Sequence, residues 1–136
     1  MLSKGTYWIG DLCYILNKAN GFVWDFVLQE TGFLGLYEEG TLENMNPDNA
    51  TGYFKFLGVE FFSSGTANGD GLFYDQSGNP YPVDAGVIGC FPTASLKNVP
   101  TNCGRVVEFE RDFQCSLCDE DGDIGIGHVW IETGGA

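Results

Sequence analysis

Arg111-Asp112-Phe113-Gln114-Cys115-Ser116-Leu117-Cys118-Asp119-Glu120-Asp121-Gly122-Asp123-Ile124-Gly125-Ile126-Gly127-His128-Val129-Trp130-Ile131-Glu132 reads as two extended arms about an Asp-Gly corner. Asp-Gly between runs of alternating character is a strong short-range hairpin signal, because a type I′ turn needs positive φ at both central residues. With Asp121-Gly122 as a two-residue turn, Glu120 faces Asp123, and Leu117 meets Ile126, Cys115 meets His128, Phe113 meets Trp130 and Arg111 meets Glu132 on one face. The other face pairs Ser116 with Gly127 and Gln114 with Val129. A one-residue slip would carry every side chain to the opposite face, so this register can be checked residue by residue.

Outward from that corner the chain keeps the same character. Twenty glycines punctuate short runs rich in Val, Ile, Phe, Tyr and Thr, the composition of an antiparallel sheet protein with frequent turns. Strands are expected at residues 6–9 and 13–16, flanking Gly10-Asp11, and at 33–38 and 41–43 around Glu39-Gly40. Residues 53–63 carry apolar side chains on both alternating sets, so they predict one central strand covered on both faces. Residues 72–75 and 81–84 flank a loop at 76–80, and Pro80 and Pro82 put the return arm at a sheet edge or entry. Residues 87–91 form another short apolar run, and 94–102 read as irregular. One helix is expected at residues 20–31, with Val23, Trp24, Val27 and Leu28 on one stripe, Asn20 as cap and Gly32 as stop. No repeat or linker divides the chain. The expectation is a single domain over residues 1–136, all-β and mainly antiparallel, a β-sandwich or partly open barrel with that one short helix.

Bulk properties narrow the function classes. A chain of 136 residues with 43% hydrophobic and 15% aromatic content can bury roughly 68% of its unfolded surface in one core. Nineteen acidic against six basic residues give a net charge of −13, which opposes phosphate backbones and anionic lipid and suits solubility, cations or a basic protein partner. Direct nucleic-acid or membrane binding is therefore not expected. No run approaches the roughly 18 apolar residues that span a bilayer, and the first residues lack the apolar core of a secretion signal. Five cysteines, an odd number without a dense pattern, fit a reducing compartment, so the expected location is the cytoplasm.

Four constellations could carry chemistry. Asp11, Asp70 and Asp84 sit beside glycines at strand ends and could converge on one rim, with Thr66 and Asn68 adding a hydroxyl and an amide to a ligand site. The alternative is that each carboxylate accepts N–H bonds inside its own turn. Cys115 and His128, opposed in the register above, are the seed of a nucleophilic dyad, against which stands their place among Phe113, Leu117, Ile126 and Trp130. Cys115-x-x-Cys118 with Cys90, Cys103 and His128 supplies zinc-type donors, but no second C-x-x-C completes the set. Asp119, Asp121 and Asp123 alternate as in a calcium loop, yet Ile124 stands where such loops need glycine and Trp130 where they need a bidentate glutamate. No cofactor is implied. Tyr7, Trp8, Tyr14, Tyr53, Tyr74 and Tyr81 are candidates for an aromatic platform for sugars or a protein, although a domain of this size needs most of them in its core.

Ile9-Gly10-Asp11-Leu12-Cys13-Tyr14-Ile15-Leu16, Trp24, Gly69-Asp70-Gly71-Leu72-Phe73-Tyr74 and Val83-Asp84-Ala85-Gly86-Val87-Ile88-Gly89 together resemble a family of small uncharacterised bacteriophage and bacterial proteins. That family carries G-D-P-C-Y, G-D-G-x-[FY] and V-D-x-G-x-[IL]-G elements in this order. Leu12 stands where those proteins usually have proline. The resemblance implies a phage-like or bacterial origin and no assigned reaction. The sequence therefore points to a small acidic binding or accessory protein using the Asp11/Asp70/Asp84 rim. The rival classes are a cation-dependent carboxylate hydrolase or Cys115/His128 enzyme, and an acidic decoy that occupies a host protein.

Overall fold

The computed structural model describes residues 1–22, 51–118 and 120–134, and within them ten strands form two antiparallel sheets. The strands are β1 (Gly5–Gly10), β2 (Gly52–Phe56), β3 (Val59–Gly65), β4 (Gly71–Asp75), β5 (Pro80–Val83), β6 (Val87–Pro92), β7 (Gly104–Phe109), β8 (Cys115–Leu117), β9 (Asp123–Ile126) and β10 (Val129–Glu132). Sheet one has the order β2-β3-β6-β1-β7 and sheet two the order β5-β4-β10-β9-β8. This is the expected all-β sandwich. Among the described residues neither sheet closes into a barrel. No helix there is long and apolar enough to cross a membrane.

Alternation explains why the sheets face each other. Tyr7, Ile9, Phe62, Ile88, Cys90, Val107 and Phe109 from sheet one meet Tyr81, Val83, Ile124, Ile126, Val129 and Ile131 from sheet two in one core. Intervening residues of the central strands of sheet one are buried as well. Trp8, Phe61, Val87 and Phe91 form a second core on its far side with Leu12, Ile15 and Leu16. The Trp8 ring lies across Gly104, where a Cβ would sit 2.2 Å from it, and its Nε1 donates to the Pro100 carbonyl at 2.8 Å. The central strands β1, β3 and β6 of sheet one are thus covered on both faces, which is what two apolar alternating sets require.

Several expectations change. Residues 53–63 are two strands, not one, because Leu57 (φ 51) and Gly58 (φ 80) both adopt left-handed conformations and fold β2 onto β3 with Phe56 opposite Val59. Double burial holds for β3, where Phe61 and Phe62 are both buried. Residues 13–16 are not a strand: Leu12–Tyr14 forms a 3₁₀ turn capped by Asp11. In the C-terminal segment Cys115 faces Ile126 and Leu117 faces Ile124, so the connection runs from Cys118 to Asp123 rather than turning at Asp121-Gly122 alone. Cys118 N–H donates to the Asp123 carbonyl, and Gly122 N–H donates to the Cys118 carbonyl. The expected second arm also breaks at Gly127-His128, a second two-residue turn that folds β10 back with Val129 opposite Ile126. Phe113 pairs with Leu2 instead of Trp130.

The edge placement inferred from Pro80 and Pro82 stands, since β5 is the outermost strand of sheet two. Residues 94–102 are irregular apart from the 3₁₀ turn Thr93–Ser95. Strand β7 had no forecast in the sequence. Asn20 closes the 3₁₀ turn Lys18–Asn20; from Val23 onward the expected helix at 20–31, like the expected hairpin around Glu39-Gly40, lies outside the described residues.

Candidate functional site

The glycine-flanked aspartates meet at one corner, but they do different things there. Asp11 is fully buried: its Oδ1 accepts the Cys13 N–H at 2.9 Å, and its Oδ2 accepts the N–H groups of Asp84 at 2.7 Å and Ala85 at 2.6 Å. Burial pushes its carboxyl above the ordinary carboxylate value, and the backbone N–H bonds pull the other way without overcoming it. Asp84 is exposed and accepts the Tyr14 hydroxyl, whose own titration is pushed up by burial and by that bond. Asp70 is exposed too, with Oδ1 3.9 Å from where a Cβ on Gly86 would lie.

Thr66 and Asn68 brace the same corner from within. Thr66 N–H donates to the Gly86 carbonyl at 3.0 Å and its hydroxyl donates to the Gly69 carbonyl. Asn68 Nδ2 donates to the Thr133 carbonyl at 2.8 Å. The three aspartates therefore share one corner, with Asp11 working as a clamp between the ends of β1 and β5. Only Asp70 and Asp84 present carboxylates to solvent there.

The Cys115/His128 pairing is corrected by the register. Cys115 faces Ile126, while His128 sits exposed in the β9–β10 turn with its carbonyl taken by Gln76 Nε2 at 2.6 Å. Burial pushes the Cys115 thiol up to about 12, so at neutral pH it holds its proton and is a poor nucleophile. Cys13, Cys90 and Cys103 are raised as well, each chiefly by burial.

Among the described residues no group of three or more His, Cys, Asp or Glu side chains is gathered as a metal site. Asp119 lies outside the described residues; Asp121 accepts the Cys118 thiol at 3.7 Å, and Asp123 accepts Trp130 Nε1 at 2.9 Å.

Two features were not singled out as sites in the sequence, although Tyr74 of the second is among the aromatic-platform candidates. The first is Asp75, whose buried carboxylate accepts Ser77 N–H at 2.9 Å, Asn79 N–H at 3.0 Å, the Tyr81 hydroxyl at 2.8 Å and the Arg105 guanidinium at 3.3 Å. Burial would raise its carboxyl, but these bonds outweigh it and hold the group below its ordinary value. The spacing Asp75-Gln76-Ser77-Gly78-Asn79 is the available signal, since Asp favours a turn that bonds its own backbone two residues on.

The second is the outer face of sheet two. Leu72, Tyr74 and Trp130 are 52%, 49% and 44% exposed, and Tyr74 stands opposite Glu132. Trp130 is fixed at both ends: Asp123 holds its Nε1, and its ring lies over Gly125, where a Cβ would approach it to 3.1 Å. The backbone beneath is tied by Gln76, whose Oε1 accepts the Trp130 N–H at 2.8 Å. Of the platform candidates, Tyr7, Trp8 and Tyr81 are buried, which leaves Tyr74 on this face. Tyr53 is exposed elsewhere, its hydroxyl accepting the Cys115 N–H at 2.9 Å.

A cleft of about 450 Å³ is lined by residues 108–113 with Gly127 and His128. Its charged lining mixes Glu108, Glu110 and Asp112 with Arg111, and it includes the stacked pair Phe109 and Phe113, with ring centroids 3.8 Å apart.

No family model matches this chain, and no curated protein or solved structure matches it.

Proposed function

We propose that this protein is a small acidic binding module that does no chemistry of its own, and that its ligand lies on the outer face of sheet two. One observation carries the reading: Trp130 is held flat by Asp123 and Gly125 with 44% of its surface open, on the sheet whose other face already supplies the core. A large aromatic ring fixed against a sheet and left in water is ordered before any partner arrives, so docking on it costs little side-chain entropy. Asp70 and Asp84 mark the end of that sheet where β4 begins and β5 ends, which extends the originally expected acidic rim into the same surface. The reading keeps the expected cytoplasmic setting and the phage-like or bacterial origin suggested by the three glycine-aspartate elements, all of which meet at the corner clamped by Asp11.

Peptide and glycan arrays probed with the labelled full chain test it. Ligands captured by the wild type are expected to be lost by Trp130→Ala and unchanged chemically after incubation. Capture that survives Trp130→Ala but fails in Asp112→Asn would move the site to the cleft beside Phe109. Turnover of a captured ligand would replace the binding module with an enzyme.

A further inference from the structure

The segments that build sheet two carry carboxylates and no lysine or arginine. All six basic residues, Lys4, Lys18, Lys55, Lys97, Arg105 and Arg111, fall outside residues 70–84 and 115–134, the segments that build sheet two. Those segments carry eight carboxylates: Asp70, Asp75, Asp84, Asp119, Glu120, Asp121, Asp123 and Glu132. Asp75 is spent internally on Arg105 and Tyr81. Glu120, Asp121 and Glu132 are exposed, and Asp123 flanks the Trp130 ring. A cation arriving here meets no like charge on the strands it contacts, and the field of the whole chain draws it in.

Resting on the binding-module reading, we propose that the outer face of sheet two takes a basic protein segment and seats an arginine side chain on Trp130. A guanidinium is planar, weakly hydrated and stacks on an indole face while its edge N–H groups remain free to bond carboxylates. Here the indole is pinned, Asp123 stands at its Nε1 and Glu132 lies two residues along the same strand, on the same face. Tyr74, paired with Glu132, continues the aromatic surface toward Leu72 and gives the aliphatic stem of the incoming side chain apolar cover. A second copy of this chain, at net charge −13, is repelled by the same field.

The test is a titration of the ¹⁵N-labelled full chain with an acetylated arginine tetrapeptide, followed by the Trp130 indole and the β10 amide signals. Matched titrations use the lysine tetrapeptide and a neutral β-linked glucose hexamer. The arginine peptide is expected to shift the Trp130 indole signal at low salt, to weaken on adding salt, and to bind about two- to fivefold more tightly than the lysine peptide. Glu132→Gln should weaken it severalfold without moving the rest of the spectrum, and Trp130→Leu should abolish the arginine-over-lysine preference. Shifts at Trp130 from the hexamer and none from the arginine peptide would overturn the arginine assignment and leave the face as a binding site. Arginine-peptide shifts confined to residues 108–113 and His128 would overturn both. Absence of any shift from the arginine peptide at millimolar concentration sinks the arginine assignment outright.

Discussion

Sheet one and sheet two are built from similar strands, yet among the described residues the central strands β1, β3 and β6 of sheet one are packed on both faces, while β10 of sheet two is packed on one. In sheet one, consecutive residues such as Trp8 and Ile9, Phe61 and Phe62, and Val87 and Ile88 are all buried. In β10 of sheet two the alternation is clean: Val129 and Ile131 are buried while Trp130 and Glu132 are open. The difference teaches why the proposed ligand face falls on sheet two. The centre of sheet one is held by packing, while sheet two, with less cover among the described residues, leans also on polar braces such as Asp75.

Two tryptophans measure that contrast most directly. Trp8→Ala removes a fully buried ring from the second core and leaves the Pro100 carbonyl without its donor, so a loss of about 3–5 kcal/mol in folding stability is expected. Trp130→Ala removes a ring that is half-buried on its sheet and bonded to Asp123, and should cost clearly less, about 1–2 kcal/mol. Urea unfolding of both variants checks the pair. Comparable losses would mean that the outer face of sheet two is a structural surface.

Asp75 sharpens the point for sheet two. Asp75→Asn takes away a charged acceptor shared by two backbone N–H groups, Tyr81 and Arg105, with an expected loss of about 2–3 kcal/mol. Because the folded carboxyl titrates below its unfolded value, its stabilisation is complete above roughly pH 4 and is lost as pH falls through the folded value. The wild type should therefore destabilise on acidification below about pH 4, and Asp75→Asn should flatten that part of the profile.

Asp11 has the opposite sign. Its folded carboxyl titrates above the unfolded value, so in the interval between the two the folded state holds more protons than the unfolded one. Its contribution is greatest below the unfolded value, about 3.9, and declines as pH rises through the folded value. Asp11→Asn leaves three backbone N–H groups facing one amide oxygen and one N–H₂, a loss of about 2 kcal/mol at neutral pH. The variant should also lose the decline in stability expected of the wild type as pH rises through the folded value. Thermal melts across pH 3–7 separate the two aspartates; slopes of the same sign would contradict the burial assigned to Asp11.

The contrast also marks what a sequence reader can see. The sheet class, the edge position of β5 and the double burial around Phe61 and Phe62 follow from alternation and proline placement, which are properties of single residues. The convergence of Asp11, Asp70 and Asp84 was legible because glycine neighbours flag corners. Register was not. Leu57-Gly58 and Gly127-His128 are turns in which Leu or His occupies a position that sequence patterns reserve for Asn or Asp, so each apolar run looked longer than it is. That misreading joined Cys115 to His128 and hid the face carrying Trp130, whose exposure becomes visible only once β9 and β10 are separate strands. Asp75 escaped because its partners Tyr81 and Arg105 are brought by pairing, which no local pattern encodes.

The Leu57 turn yields the smallest effect, and one of opposite sign. Leu57 is 80% exposed and has φ 51, so it contributes little packing while a γ-branched side chain sits in a left-handed conformation. The hairpin forms regardless, because Phe56, Phe61 and Phe62 on either side of it are buried in sheet one. Leu57→Asn supplies the turn residue that a type I′ corner prefers and should raise stability by about 0.5–1 kcal/mol in urea unfolding. A loss instead would show that Leu57 covers apolar surface, and that even at its edge sheet one has no face to spare.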